Sequence, residues 1–164
     1  MPDRFSQLVK KSVRLGNSFP IMPIDEIRLA VAFAELPDQE RVVSRLITEL
    51  FEHENMHVRR IAINACRRSK NFHVPGLKEA LTRRLNDPAA WVCYDAAWAI
   101  LDGQYDSPEI QEILILLSEG VSLLDDKARL RQNPSDAALQ AKVKAKETLN
   151  AIKSRKSFAP PDTG

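Results

Sequence analysis

The sequence predicts an all-α protein built as a stack of helix pairs, and three observations lead there. The first is composition: 18 Ala and 18 Leu stand against 5 Gly in 164 residues, with 28% charged residues, a mixture that favours helices over sheets. The second is periodicity, because apolar residues recur at helical spacing in segments of about 12 to 15 residues separated by turns of about 4 to 6. The third is an internal repeat. "HVRRIAINACRRS", starting at His57, is echoed 34 residues later by "WVCYDAAWAILD", starting at Trp91. Val58 falls on Val92, Ala62 on Ala96, Ala65 on Ala99 and Cys66 on Ile100, while the residues between them change.

Taken in order, residues 1–22 form a lead-in whose amphipathic stretch (Phe5, Leu8, Val9, Ser12, Val13) ends in "LGNSFPIMP", where a glycine and two prolines forbid a continuous helix. Residues 23–120 carry the array. Its first pair is Ile24–Leu36 and Gln39–Glu52, with Asp38 expected to cap the second helix. The second pair is Met56–Ser69 and Val74–Leu85 across "KNFHVPG"; the third is Ala89–Leu101 and Pro108–Glu119 across "DGQYDSP". Residues 121–156 are expected to form a C-terminal helical cap. There "VSLLDDKARLRQ" extends the previous helix or begins another, and a fresh helix starts near Asn133, Pro134 and Ser135 with an apolar stripe of Ala138, Ala141, Ala145, Leu149 and Ile152. The Pro-rich tail 157–164 is expected to be disordered.

The faces of these helices explain the repeating positions. Val58, Ile61, Ala62, Ala65 and Cys66 share one side of their helix, and Leu77, Leu81 and Leu85 form the opposing seam. In the third pair Val92, Ala96, Ala99 and Ile100 face Ile110, Ile113, Leu114 and Leu117. One pair buries only part of its apolar surface, so neighbours must stack.

"VRRIAINAC" and "NDPAAWVCYDAAWAIL" resemble the first helices of HEAT-like repeats, the branch related to phycobilisome-lyase HEAT-like repeats. Asp87, Pro88, Val92, Ala96, Ala99 and Ile100 fit that pattern in the third repeat, and Val58, Arg59, Ala62 and Ala65 fit it in the second. The first repeat, "IDEIRLAVAFAEL", matches loosely, and Cys93 stands where the pattern carries Arg. The resemblance implies a short right-handed α-solenoid of about three HEAT-like helix pairs with a C-terminal capping helix. It also implies a scaffold or binding role, without naming a partner.

Charge is segregated along the chain. Residues 57–84 hold eight Lys/Arg and one Glu, whereas residues 85–120 hold seven Asp/Glu and no Lys/Arg. Such stripes either hold adjacent repeats together or steer a partner. Arg60 and Arg67 lie opposite the apolar face of their helix, flanked by Arg59 and Arg68. Trp91, Tyr94, Asp95 and Trp98 share an arc of the next repeat helix, distinct from its core stripe, and both tryptophans of the protein are there. These rings either fill inter-helix gaps or anchor a partner. The eight residues together form the expected partner-binding surface.

Other chemistry is weaker. Nucleic acid binding through the basic second repeat is the alternative, although no aromatic is interleaved with the arginines and the acidic third repeat would repel a long polyanion. Trp91 and Asp95, one helical turn apart, also resemble the aromatic–carboxylate arrangement of HEAT-like alkylpurine DNA glycosylases, a second alternative. His53, His57 and His73 do not form a ligand set with Cys66 and Cys93, and no phosphate loop or nucleophilic triad stands out, so neither enzyme activity, metal nor cofactor is expected. Two cysteines within apolar helical patterns fit a reducing compartment. With no apolar run of membrane-spanning length and no signal-peptide core in "MPDRFSQLVKK", a cytoplasmic protein is expected. Its protein partner would make it an adaptor, an assembly subunit or an immunity-type inhibitor.

Overall fold

The computed structural model describes residues 3–120 and 136–158. Within them the chain is all-helical, with no strand among the described residues: α1 (Arg4–Gly16), α2 (Pro23–Ala34), α3 (Gln39–Glu49), α4 (Met56–Ser69), α5 (Leu77–Arg84), α6 (Ala90–Gly103), α7 (Pro108–Ser118) and α8 (Asp136–Phe158). Several starts follow directly from capping chemistry. Asp3 accepts the Ser6 N–H at 2.7 Å, Asn55 accepts those of His57 and Val58, and Ser107 accepts that of Ile110 ahead of Pro108.

At two helix starts the backbone departs from the sequence expectation by more than a single-residue shift in the boundary. Helix α5 begins at Leu77 instead of Val74, because Gly76 takes φ +88, a conformation that side-chain-bearing residues rarely adopt. Asp38 stands before α3 without capping it: its backbone is left-handed at φ 57 and its side chain accepts no bond from the helix. Gln39 closes that corner instead, donating through Nε2 to the carbonyls of Phe33 at 2.9 Å and Leu36 at 2.7 Å. At the other end of the chain, "VSLLDDKARLRQ" and the Asn133–Ser135 start lie outside the described residues. Helix α8 continues to Phe158 and so enters the stretch expected to be disordered.

The repeat helices pack in chain order, α2 on α4, α4 on α6 and α6 on α8. Helix α3 packs on α4 and α5, α5 on α6, α7 along α8, and α1 on α2 and α4. The expected frame is the core. Val58, Ile61, Cys66, Leu77, Leu81, Leu85, Val92, Ile100, Ile110 and Leu114 are all buried, each large aliphatic side chain contributing roughly 1.5–3 kcal/mol. Ala62, Ala65, Ala96, Ala97 and Ala99 are fully buried, and their small size lets successive repeat helices approach. On α8, Ala141, Ala145, Leu149 and Ile152 are buried as expected, while Ala138 is exposed. Buried Thr148 reaches across to donate to the Ala97 carbonyl at 3.2 Å.

One polar clamp fixes α6 against α4. Arg59 donates through Nε and Nη2 to the two carboxylate oxygens of Asp87, both at 2.8 Å, and through Nη1 to the carbonyls of His53 and Glu54. Asp87 also accepts from Arg84 and from the Ala89 N–H, each at 2.9 Å, which ties the start of α6 to the same carboxylate. Cys93 occupies the register position of Arg59 and lies against the same turn, its thiol donating to the Asp87 carbonyl at 3.1 Å.

Candidate functional site

The 34-residue register brings the same helical face of α2, α4 and α6 side by side. Glu26, Arg60 and Tyr94 are register equivalents, as are Ile27, Ile61 and Asp95. Together with Pro23, Asn64, Arg67, Arg68, Trp91 and Trp98 they line one open groove of about 390 Å³. Seven of the eight residues expected at the surface therefore converge.

Arg59 is the eighth, and its expected role is corrected. It is only 7% exposed, turned away from the groove and held by Asp87, because one step along a helix rotates a side chain by about 100°. That rotation separates it from Arg60, which faces the groove. Asp95 also departs from its expected place on the partner-binding surface, since it is 2% exposed and bonded to Arg60.

Along α6 the rings form a continuous row. Trp91 meets Tyr94 edge to face at 5.4 Å between centroids, and Tyr94 meets Trp98 in the same way at 5.7 Å. All three rings are partly buried, neither core nor fully exposed. Cations cover them from both neighbouring helices. The Arg60 guanidinium lies 5.1 Å from the Trp91 centroid, that of Arg67 lies 4.0 Å from the Trp98 centroid, and Lys144 of α8 places its Nζ 4.5 Å from Trp98 and 5.7 Å from Tyr94.

Carboxylates hold those cations in place. Arg60 Nε donates to Asp95 Oδ2 at 2.7 Å, and Arg60 Nη1 reaches Glu26 at 3.4 Å; His57 Nδ1 contacts the other Glu26 oxygen at 2.5 Å. Arg67 donates to Asn64 and pairs with Asp102 at 3.5 Å. Burial pushes the Asp95 carboxyl above the ordinary carboxylate range, and the hydrogen bond and charge of Arg60 only partly offset it. Arg60 is desolvated too, yet the Asp95 contact outweighs that and keeps it firmly charged.

The basic stripe is thus largely engaged with its acidic neighbours. Of the eight Lys/Arg in residues 57–84, five make ion pairs: Arg59 and Arg84 with Asp87, Arg60 with Asp95 and Glu26, Arg67 with Asp102, and Arg83 with Glu52. Arg68 is exposed at the groove and makes no ion pair among the described residues.

Glu26, Ile27, Asn64 and Lys144 also belong to the site, beyond the residues expected from sequence. Extending the 34-residue register back from Arg60 and Ile61 points to Glu26 and Ile27, so that signal was present. Lys144 lies beyond the end of the register, and no sequence pattern connects it to Trp98. Among the described residues no helix is long and apolar enough to cross a membrane. No family model, curated protein or solved structure matches the chain.

Proposed function

We propose that the chain is a non-catalytic HEAT-like α-solenoid module that binds a protein partner on the face shared by α2, α4 and α6. The observation that carries this reading is the groove itself: one open depression gathers partly exposed aromatic rings, fixed guanidinium groups and the exposed apolar Ile27. Protein interfaces draw most of their affinity from buried aromatic and arginine anchors, and charged pairs at the rim mainly steer association. The chain-order packing of α2, α4, α6 and α8, with the register that aligns the faces of the first three, supports the solenoid part of the reading.

Nucleic acid binding through the second repeat has less support, since five of its eight basic groups are already paired with carboxylates of the same chain. A carboxylate-assisted base excision has less still. Asp95 directs both oxygens at Arg60 and is nearly inaccessible.

The test is capture of a partner from the native host by the wild-type chain and by Trp98→Ala, each confirmed as folded by circular dichroism. A specific partner retained by wild type and lost by Trp98→Ala is expected. A partner held equally by both would move the interface off this face.

A further inference from the structure

We infer that the groove selects an acidic segment of a protein partner, one in which carboxylates flank a large apolar side chain. This rests on the protein-binding reading and specifies the chemistry of the occupant. The two groove carboxylates, Glu26 and Asp95, are already engaged by Arg60 and His57. What the groove leaves available is positive. Arg68 is exposed and unpaired among the described residues, while Arg67 and Lys144 each face one exposed carboxylate, Asp102 and Glu147, that water already screens. Beside these cations lie Trp98 and the exposed Ile27 of α2, which supply apolar surface for an anchor.

Two other occupants fit less well. A cationic peptide would seek the ring faces, but Arg60, Arg67 and Lys144 already cover them. A nucleic acid strand gains affinity by neutralising many phosphates in a row. Beyond Arg84 the described chain offers such a strand no Lys or Arg up to Gly120, while Asp102 stands exposed beside Arg67. A short acidic stretch can rest on Arg68 alone, and at Arg67 and Lys144 it competes only with the exposed carboxylates of Asp102 and Glu147.

Both tryptophans line the groove, so intrinsic fluorescence of the full chain reads occupancy directly. The probes are short tryptophan-free peptides with one Leu, Ile or Phe flanked by Asp and Glu, their Asn/Gln counterparts, their Lys counterparts, and oligothymidylate. A saturable emission change is expected with acidic peptides, weakened at least about tenfold by the Asn/Gln exchange and by Arg68→Glu, and largely restored by Arg68→Lys. The inference is overturned if amide counterparts bind as well, if Lys peptides or oligothymidylate bind more tightly, or if no acidic peptide binds. A host partner still lost with Trp98→Ala in any of those cases would leave the protein-binding reading standing and remove only its acidic chemistry.

Discussion

The Arg67 guanidinium sits over the Trp98 ring at 4.0 Å, joining the last turn of α4 to the middle of α6 across the groove floor. Asn64 and Asp102 hold the guanidinium from the side, so the ring is packed by a cation instead of an aliphatic group. The contact explains how a tryptophan can be ordered without entering the core.

Trp98→Ala should therefore cost about 1–2 kcal/mol of stability, less than truncation of a fully buried aromatic, because the ring lies outside the close-packed seam. Urea unfolding measures this. Acrylamide should also quench native tryptophan emission to a measurable extent, since Trp91 and Trp98 are both partly exposed. Emission that resists the quencher until the chain unfolds would show the rings to be core.

The Arg59–Asp87 pair behaves differently, because both groups are buried and each guanidinium nitrogen and carboxylate oxygen is hydrogen-bonded. Asp87→Ala should destabilise by about 3–5 kcal/mol by leaving the guanidinium uncompensated. Arg68→Ala, on the exposed side of the same helix, should stay within about 0.5 kcal/mol. Denaturant midpoints of the two variants compare these directly, and similar losses would contradict the assignment of roles.

Asp95 gives stability a pH dependence of definite sign. Its carboxyl is raised above the unfolded value of about 3.9, so the native state holds the proton more tightly than the unfolded chain does. This contribution is fully present below the unfolded value and is lost as pH rises through the native one. Arg60→Met removes the counter-charge and should raise Asp95 further, costing at least about 2 kcal/mol at neutral pH and less in acid. Urea melts of wild type and variant across pH should converge on acidification; a gap that widens would reverse the sign.

Cys66 should be inert. Its thiol is buried on the α4 seam, and burial alone pushes its ionisation up, so almost no thiolate forms near neutrality. Thiol reagents should label it only at the rate of unfolding. Nearby Tyr105, whose hydroxyl donates to the Phe72 carbonyl, is likewise pushed up to about 12, by burial first and then by Cys66 and Glu79. Spectrophotometric titration should find one tyrosine ionising late, and its titration with an ordinary phenol would refute that placement.

Helical periodicity along the chain marks the helices and the apolar side of each. Ala62, Ala65, Ala96 and Ala99 recur in register with Val58 and Val92, and hydrophobic periodicity depends only on neighbours along the same helix. Met56–Ser69 is accordingly the helix expected. Helical spacing also marked the two faces, Arg60 and Arg67 on α4 and Trp91, Tyr94 and Trp98 on α6, that converge in the groove. What each charged residue does depends instead on how the helices pack. Arg59 and Arg60 are adjacent and chemically identical, yet one is sealed against Asp87, 28 residues away, and the other faces Asp95, 35 residues away. Lys144 reaches Trp98 from a helix outside the repeat. A long side chain takes its partner from whichever neighbouring helix covers it, and that choice is made by packing between repeats, at separations that no local pattern records.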